Sequence, residues 1–254
     1  MSTSLAPSPS RAAASSTSGT PYSITISMSQ ATVTALTASG YQLCGFKAVS
    51  SPTPGQPLVW FSTNQFATQL TINWEEFYLA YTSTSEIESG VVITASDNFP
   101  IDLGQLLTIN QPGGGGMLGA GTDPNGIQIL NGDQVVYTVG MGQMLGNQLT
   151  PMCAFSAYPG FMLDIEPIEK VVLMFSTLPL NTGSVIEQAF SPGILLDLTD
   201  QHDAVVTFNM TPAPGVADWS GANCSNSPIP AQAEMAQILI NPAGIKLNSQ
   251  KQRR

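Results

Sequence analysis

Two stretches of this chain repeat one outline, and that repetition constrains the fold more than any other feature. Asn73 to Asn110 reads NWEEFYLAYTSTSEIESGVVITASDNFPIDLGQLLTIN, and Pro167 to Asn209 reads PIEKVVLMFSTLPLNTGSVIEQAFSPGILLDLTDQHDAVVTFN. Setting Trp74 on Ile168 and Glu75 on Glu169 brings Phe77-Tyr78-Leu79-Ala80-Tyr81 onto Val171-Val172-Leu173-Met174-Phe175. Gly90-Val91-Val92-Ile93 then falls on Gly183-Ser184-Val185-Ile186, and Ile101-Asp102-Leu103 on Leu196-Asp197-Leu198. The copies close with Thr108-Ile109-Asn110 against Thr207-Phe208-Asn209. Side chains alternate between the faces of a strand, so Phe77, Leu79 and Tyr81 share one face with Val171, Leu173 and Phe175 in the other copy. That face is expected to be core in both. The opposite face is more apolar in the second copy, as expected of a strand covered on both sides by packing between the copies.

The flanking segments extend the pattern. Ile24, Ile26 and Met28 alternate with polar residues, a half-buried strand that Ala31–Leu36 continues or returns. Tyr41–Val49 and the run LVWF after Pro57 are further apolar segments punctuated by turns, and Leu149–Tyr158 answers Tyr41–Val49. The matching places this gives Cys44 and Cys153 suit two buried free thiols. The segment 52–66 has no clear counterpart and reads as an insertion. Gln111 through Gly126 is glycine-rich but lacks the Gly-Lys-Ser/Thr of a phosphate loop, so it reads as a flexible connection. Thr211–Gly215 reads as a linker and Asp218–Gly221 as a turn. Pro230 opens the one credible helix, 231–239, with Met235, Ile238 and Leu239 as a stripe against a sheet or over its edge.

These elements point to an all-β fold of two tandem duplicated antiparallel β-sandwich units with a short C-terminal helix. The alternative is one large jelly-roll-like double sheet. The expected organisation is a disordered Ser/Ala/Pro-rich arm at 1–20, repeat 1 at 21–111, a Gly-rich linker at 112–123, repeat 2 at 124–211 and an extension at 212–254. The arm is too polar to bury apolar area against its ordering entropy.

Charge narrows the function classes. Charged residues are only 9% of the chain, against roughly 25% in an average soluble domain. Seventeen acids face seven bases, a net charge of −10, and no basic cluster is long enough to neutralise a phosphate backbone, so nucleic acid is not an expected partner. No apolar run is long enough for a transmembrane helix, and the N-terminus has no signal-peptide core, which points to the cytoplasm or to leaderless export.

Catalytic and metal constellations are not found. The one histidine, His202, sits in a polar turn, and no Gly-x-Ser-x-Gly presents a nucleophile. Glu75 and Glu76 are adjacent on a strand and face opposite ways. Asp102 and Asp197 recur before turns, where carboxylates accept backbone N–H groups. Asp97, Asp123 and Asp133 follow no calcium-loop pattern. No metal site and no cofactor is expected. Trp60 and Trp219, in irregular segments, are the candidate ligand-binding aromatics.

The expected function is therefore a non-catalytic binding or self-assembly protein, a homo-oligomer with a low-charge surface. A lectin- or toxin-like module with a glycan or lipid ligand is the second class. A glycosidase using loop carboxylates is the third.

Overall fold

A computed structural model describes residues 19–146, 148–210 and 217–240. Most of the expected N-terminal arm and the residues after 240 lie outside them. The protein is all-β, with 55% of residues in strands and 8% helical. The first half contributes β1 (Pro21–Met28), α1 (Gln30–Ala38), β2 (Gln42–Ser50), β3 (Gln56–Pro57), β4 (Phe61–Thr63), β5 (Gln69–Glu75), β6 (Tyr78–Ser83), β7 (Asp97–Pro100), β8 (Gln105–Gln111) and β9 (Gly115–Ala120). The second contributes β10 (Ile127–Asn131), β11 (Tyr137–Leu145), β12 (Gln148–Pro151), β13 (Cys153–Ala157), β14 (Met162–Ser176), β15 (Gly193–Asp197), β16 (Asp203–Met210), β17 (Ala217–Ser220), β18 (Ser225–Ile229) and α2 (Met235–Leu239).

Three sheets form, in the orders β17-β16-β1-β5, β18-β15-β14-β10-β8-β9 with β2 and β4 branching from β14, and β3-β13-β11-β6-β7 with β12 beside β11. Each sheet takes strands from both halves. The Gly-rich stretch is therefore not a boundary between two self-closed sandwiches, and the merged arrangement describes the pairing better.

The mixing is reciprocal. Within each half, β1 pairs antiparallel with β5 (Ile24 opposite Ile72), as β10 does with the start of β14 (Ile127 opposite Ile165). Across the halves, β1 runs parallel to β16 (Ile26 beside Val206), and β10 runs parallel to β8 (Ile129 beside Leu107). Likewise β2 pairs with the end of β14 (Gly45 opposite Leu173), and β11 with β6 (Met141 opposite Ala80). The hairpins β6–β7 and β14–β15 correspond, as do β8–β9 and β16–β17. The sheets are mixed rather than purely antiparallel because β16 reaches β1 from the other half, so no tight turn dictates its direction. Val92 pairs antiparallel with Ser184, and the Gly90 N–H donates to the Val185 carbonyl. The matched glycine-led segments thus meet each other, and Gly90 and Gly183 share a left-handed φ, 80° and 85°.

This pairing moves the alignment of β6 by one residue. It places Ile72 with Ile165 and Ala80 with Leu173, so Phe77 answers Lys170 rather than Val171. A one-residue slip exchanges the faces of a strand. Tyr78 and Ala80 enter the central core with Val171, Leu173 and Phe175. Tyr81 points instead into a side cluster with Leu58, Ile93 and Val185. Phe77, expected inward, is 42% exposed.

Other expectations change for local reasons. Residues 31–36 are helical: the Ser29 side chain accepts from the Thr32 N–H, 3.1 Å, and Gly40 at φ 67° closes α1. Half of the expected linker is β9. Gly113 and Gly114, at φ 83° and 91°, turn the chain from β8 into it, and a Cβ on Gly114 would meet Thr82 Oγ1 at 2.6 Å. By pairing, β11 rather than Leu149–Tyr158 answers β2, and β4 in the supposed insertion answers β13. Asp218 and Trp219 lie on β17, paired with β16, not in a turn. The C-terminal helix begins at Met235, after Pro230 and a turn.

Met235, Ile238 and Leu239 are buried against Cys44, Phe46, Val172 and Met174. Cover for the outer face of β14 thus comes from α2 and from Leu180, Ile186 and Ala189. The central cluster joins all three sheets, through Ile24, Ile26 and Phe208 of the first, Ile109, Ile129 and Ile165 of the second and Ala80, Met141 and Phe155 of the third. Full burial of each such side chain contributes about 1.5–3 kcal/mol relative to exposure.

Candidate functional site

Lys47 is the one lysine before residue 170 and stands in the apolar strand β2. It is 1% exposed and faces the central core. Its place follows from a bulge in β14. Lys47 pairs with Val171, and the register shifts between Ile168 and Val171, leaving Glu169 and Lys170 outside the β2 ladder, though Lys170 still pairs with Asp197 on β15. A bulge re-aims side chains. Here Glu169 turns inward, its Oε2 3.0 Å from the Lys47 ammonium, while Lys170 reaches Asp197 at 3.4 Å. The Tyr78 hydroxyl donates to Glu169 Oε1, 3.1 Å.

Three rings enclose the ammonium. Its Nζ lies 5.0 Å from the Trp74 ring, 5.5 Å from Trp60 and 5.9 Å from Tyr22. The β1·β5 ladder sets Tyr22 opposite Trp74, and their rings stack at 5.5 Å with 9° between planes. Trp60 meets Trp74 edge-on at 5.1 Å. The Tyr22 hydroxyl donates to Glu76 Oε1, 3.1 Å. The ring quadrupoles attract the cation, partly replacing lost hydration.

Burial lowers the pKa of Lys47, and Glu169 opposes that shift. Tyr22 and Tyr78 are pushed upward, by burial first and then by Glu169. A buried ion pair is a weak source of net stability, but losing one partner strands the other charge. The ammonium is enclosed and paired with Glu169 at the bulge where β2 meets β14, while the buried Nε1 atoms of Trp60 and Trp74 have no hydrogen-bond partner; this is the cluster's place in the fold. It does not present a nucleophile. In the other half, Gln143 takes the place of Lys47, opposite Tyr78, and its Nε2 donates to the Glu75 carbonyl at 3.0 Å.

A surface groove of about 1070 Å³ adjoins this cluster, between the start of β1 and the end of β5. Tyr22, Trp74, Glu75, Phe77, His202 and Asp203 are among its walls. His202 is exposed in its turn, with its ring centroid 4.5 Å from that of Tyr22. Ser23 donates to Asp203 at 2.9 Å. Phe77 is the open aromatic face here, because Tyr22 and Trp74 are almost fully covered.

The expected ligand-binding tryptophans are placed elsewhere. Trp60 is fully buried in the lysine cage. Trp219 is half-buried, stacked on Phe175 at 5.5 Å and tilted against Phe208 at 4.7 Å. Trp60 therefore has no ring face open to solvent, and Phe175 covers one face of Trp219.

The loop aspartates serve their own turns. Asp97, Asp123 and Asp133 accept from the backbone N–H groups of Asn98, Asn125 and Gln134. The Tyr137 hydroxyl donates to Asp133 and holds its pKa below the usual carboxylate range. Asp197 accepts from Thr199 N–H and hydroxyl, as expected for a carboxylate before a turn, whereas Asp102 donates its own N–H to Gln105. Among the described residues no three His, Cys, Asp or Glu side chains gather in a metal-binding geometry. Cys44, Cys153 and Cys224 are buried free thiols, though Cys44 and Cys153 do not occupy equivalent strands. Burial pushes Cys44 and Cys153 up to about 12.

The residues sequence reasoning passed over are Lys47, Glu169, Tyr22 and Tyr78. A lone lysine inside the apolar run QLCGFKAVS was the available signal. The chain matches no protein-family model, no curated protein and no solved structure.

Proposed function

We propose that this is a non-catalytic self-assembly protein that associates with its own kind through a surface poor in charge. The observation that carries this reading is a set of open apolar side chains at one end of the large sheet. Met117 is 61% exposed and Tyr158 59%, with Val135, Val136, Phe161 and Met162 also open. Their loops are tied together by Asn131, which donates to the carbonyls of Val135, Ala157 and Phe161 and accepts from the Gly160 N–H. Open apolar groups gathered at one place mark interaction surfaces more often than scattered ones do. All seventeen acids lie in the described body, with only Lys47 and Lys170 as lysines there. Both lysines are paired. Copies therefore repel at long range, with a reach of about 8 Å at physiological salt. Sedimentation at low and high salt tests the reading. Association that tightens as salt rises is the expected result, and a concentration-independent monomer at both salts overturns it.

The groove beside Tyr22 supports a second reading, recognition of a small glycan or a lipid headgroup. Exposed Phe77 offers an apolar face next to the polar groups of Glu75, His202 and Asp203. A glycan array and a liposome-leakage assay, each run with Phe77→Ala as control, separate the two ligands. Among the described residues no helix is long and apolar enough to cross a membrane.

A further inference from the structure

We infer that β9 is the contact strand of this association, pairing antiparallel with β9 of a second copy about a two-fold axis. The inference rests on the self-assembly reading and names its surface. A terminal strand exposes a row of unpaired N–H and C=O groups, and proteins blunt such edges with charge, proline or brevity.

The other edges of this fold are guarded in those ways. The edge strand β5 carries Glu75, β7 carries Asp97 and Pro100, β17 carries Asp218, and β18 carries Pro228. In the branches, β3 and β12 contain Pro57 and Pro151, and β4 is three residues long. Only β9, Gly-Gly-Met-Leu-Gly-Ala, has six residues, no charge and no proline. It closes the largest sheet beyond β8, and its last four residues are exposed.

What fits there is another extended strand, because main-chain pairing is what the edge offers. Any of the guarded edges brings a carboxylate, a proline or too short a ladder. A second β9 brings none of these. Antiparallel self-pairing centred on Met117 or Leu118 sets each large side chain against its own copy or a small residue. Centred on Leu118, for instance, Met117 faces Gly119 and Gly116 faces Ala120.

The outer face supports the same contact. Met162, Leu130, Thr108 and Met117 are successive cross-strand neighbours on β14, β10, β8 and β9. The row contains no charge and runs out at the edge, so pairing continues it onto the second copy without desolvating an ion. The interface is isologous and closes at two chains.

The experiment compares wild type, Met117→Lys and Val205→Lys, the last an open apolar position on β16 away from the edge. Circular dichroism and thermal melts should show all three folded alike, since both positions are exposed. Sedimentation should show wild type and Val205→Lys associated and Met117→Lys shifted to monomer, with a dissociation constant raised at least about tenfold. Mild oxidation of Met117→Cys or of Leu118→Cys should trap a covalent dimer. If wild type is a monomer at every salt, the self-assembly reading and this surface fall together. If wild type associates while Met117→Lys associates equally and neither cysteine variant cross-links, the surface is wrong and self-assembly stands.

Discussion

The two halves of the molecule differ most at two pairs of equivalent places. Lys47 in the first half answers Gln143 in the second, and β9 in the first answers β17 in the second. The main ladders correspond, β1 with β5 and β16 in one half answering β10 with β14 and β8 in the other, although α1 and α2 have no counterparts. Backbone pairing and core burial constrain both halves alike, because each needs the other's strands. A buried polar position needs only satisfied partners, which an ion pair or an amide can supply. A sheet end needs only to avoid or to find a neighbour. In β17 Trp219 folds back over Phe175 and Phe208, whereas Met117 on β9 stays open.

The largest expected effect tests the first pair. Lys47→Met leaves Glu169 buried beside Tyr78 without its counter-charge and should destabilise the protein by about 3–5 kcal/mol in urea unfolding. Gln143→Met should change stability by no more than about 1 kcal/mol, because little is stranded. The Gln143 Oε1 atom already lacks a partner, and the Glu75 carbonyl retains the Phe77 N–H at 2.8 Å. Equal costs at the two positions would break the contrast.

The sheet ends come next. Trp219→Ala removes a ring packed on two others and should cost roughly 3 kcal/mol, while Met117→Ala should stay within about 0.5 kcal/mol in the unassociated chain. A large loss at Met117 would mean that β9 already has a partner within the molecule.

Alkaline titration sharpens the likeness of the halves, since the two thiols that burial shifts furthest, Cys44 and Cys153, lie one in each. Cys44 and Cys153 hold their protons more tightly folded than unfolded, moving from 9.0 to about 12. Their contribution is therefore complete below pH 9 and is lost as pH rises toward 12. Each should cost on the order of 1 kcal/mol by pH 10. Tyr22 and Tyr78 act in the same direction at higher pH, and Lys47 alone opposes them, since its burial cost is relieved as it deprotonates. Cys44→Ala and Cys153→Ala should flatten the alkaline limb of the melting curve by similar amounts; a change with only one of them separates the halves again.

The smallest effect is none. Reducing agent should leave the melting temperature unchanged, as all three cysteines are free. A drop on reduction would show a disulfide between chains.

Much of this was legible where a side chain's neighbours in sequence decide its face. Ile24, Ile26 and Met28 alternate and are buried as read, and the matched ends Thr108-Ile109-Asn110 and Thr207-Phe208-Asn209 lie in equivalent ladders. The β6 register was not legible, because Tyr78 and Tyr81 are both large and apolar and either phase of the strand looks acceptable. Which face wins depends on strands from the other half. Helix α1 was hidden by its threonines and valine, which suit a strand, although Ser29 and Gly40 bracket it as caps. The burial of Trp60 was not legible, because an irregular local sequence says nothing about tertiary cover. Lys47 was missed because its meaning comes from Glu169, 122 residues away.

The exchange of strands also sets an order of events during synthesis. Strand β1 leaves the ribosome well before its parallel neighbour: Ser23 meets Asp203 across 180 residues. Until β16 appears, β1 has only β5 beside it, and β8 likewise waits for β10. The first half on its own is thus a set of unfinished sheets, and expressed alone it should aggregate or be degraded. Closing such distant contacts costs loop entropy before it is rewarded, which makes folding slow and late. A chain built this way favours arriving whole before it meets its neighbours, and a cut inside either half should release both from the folded state together.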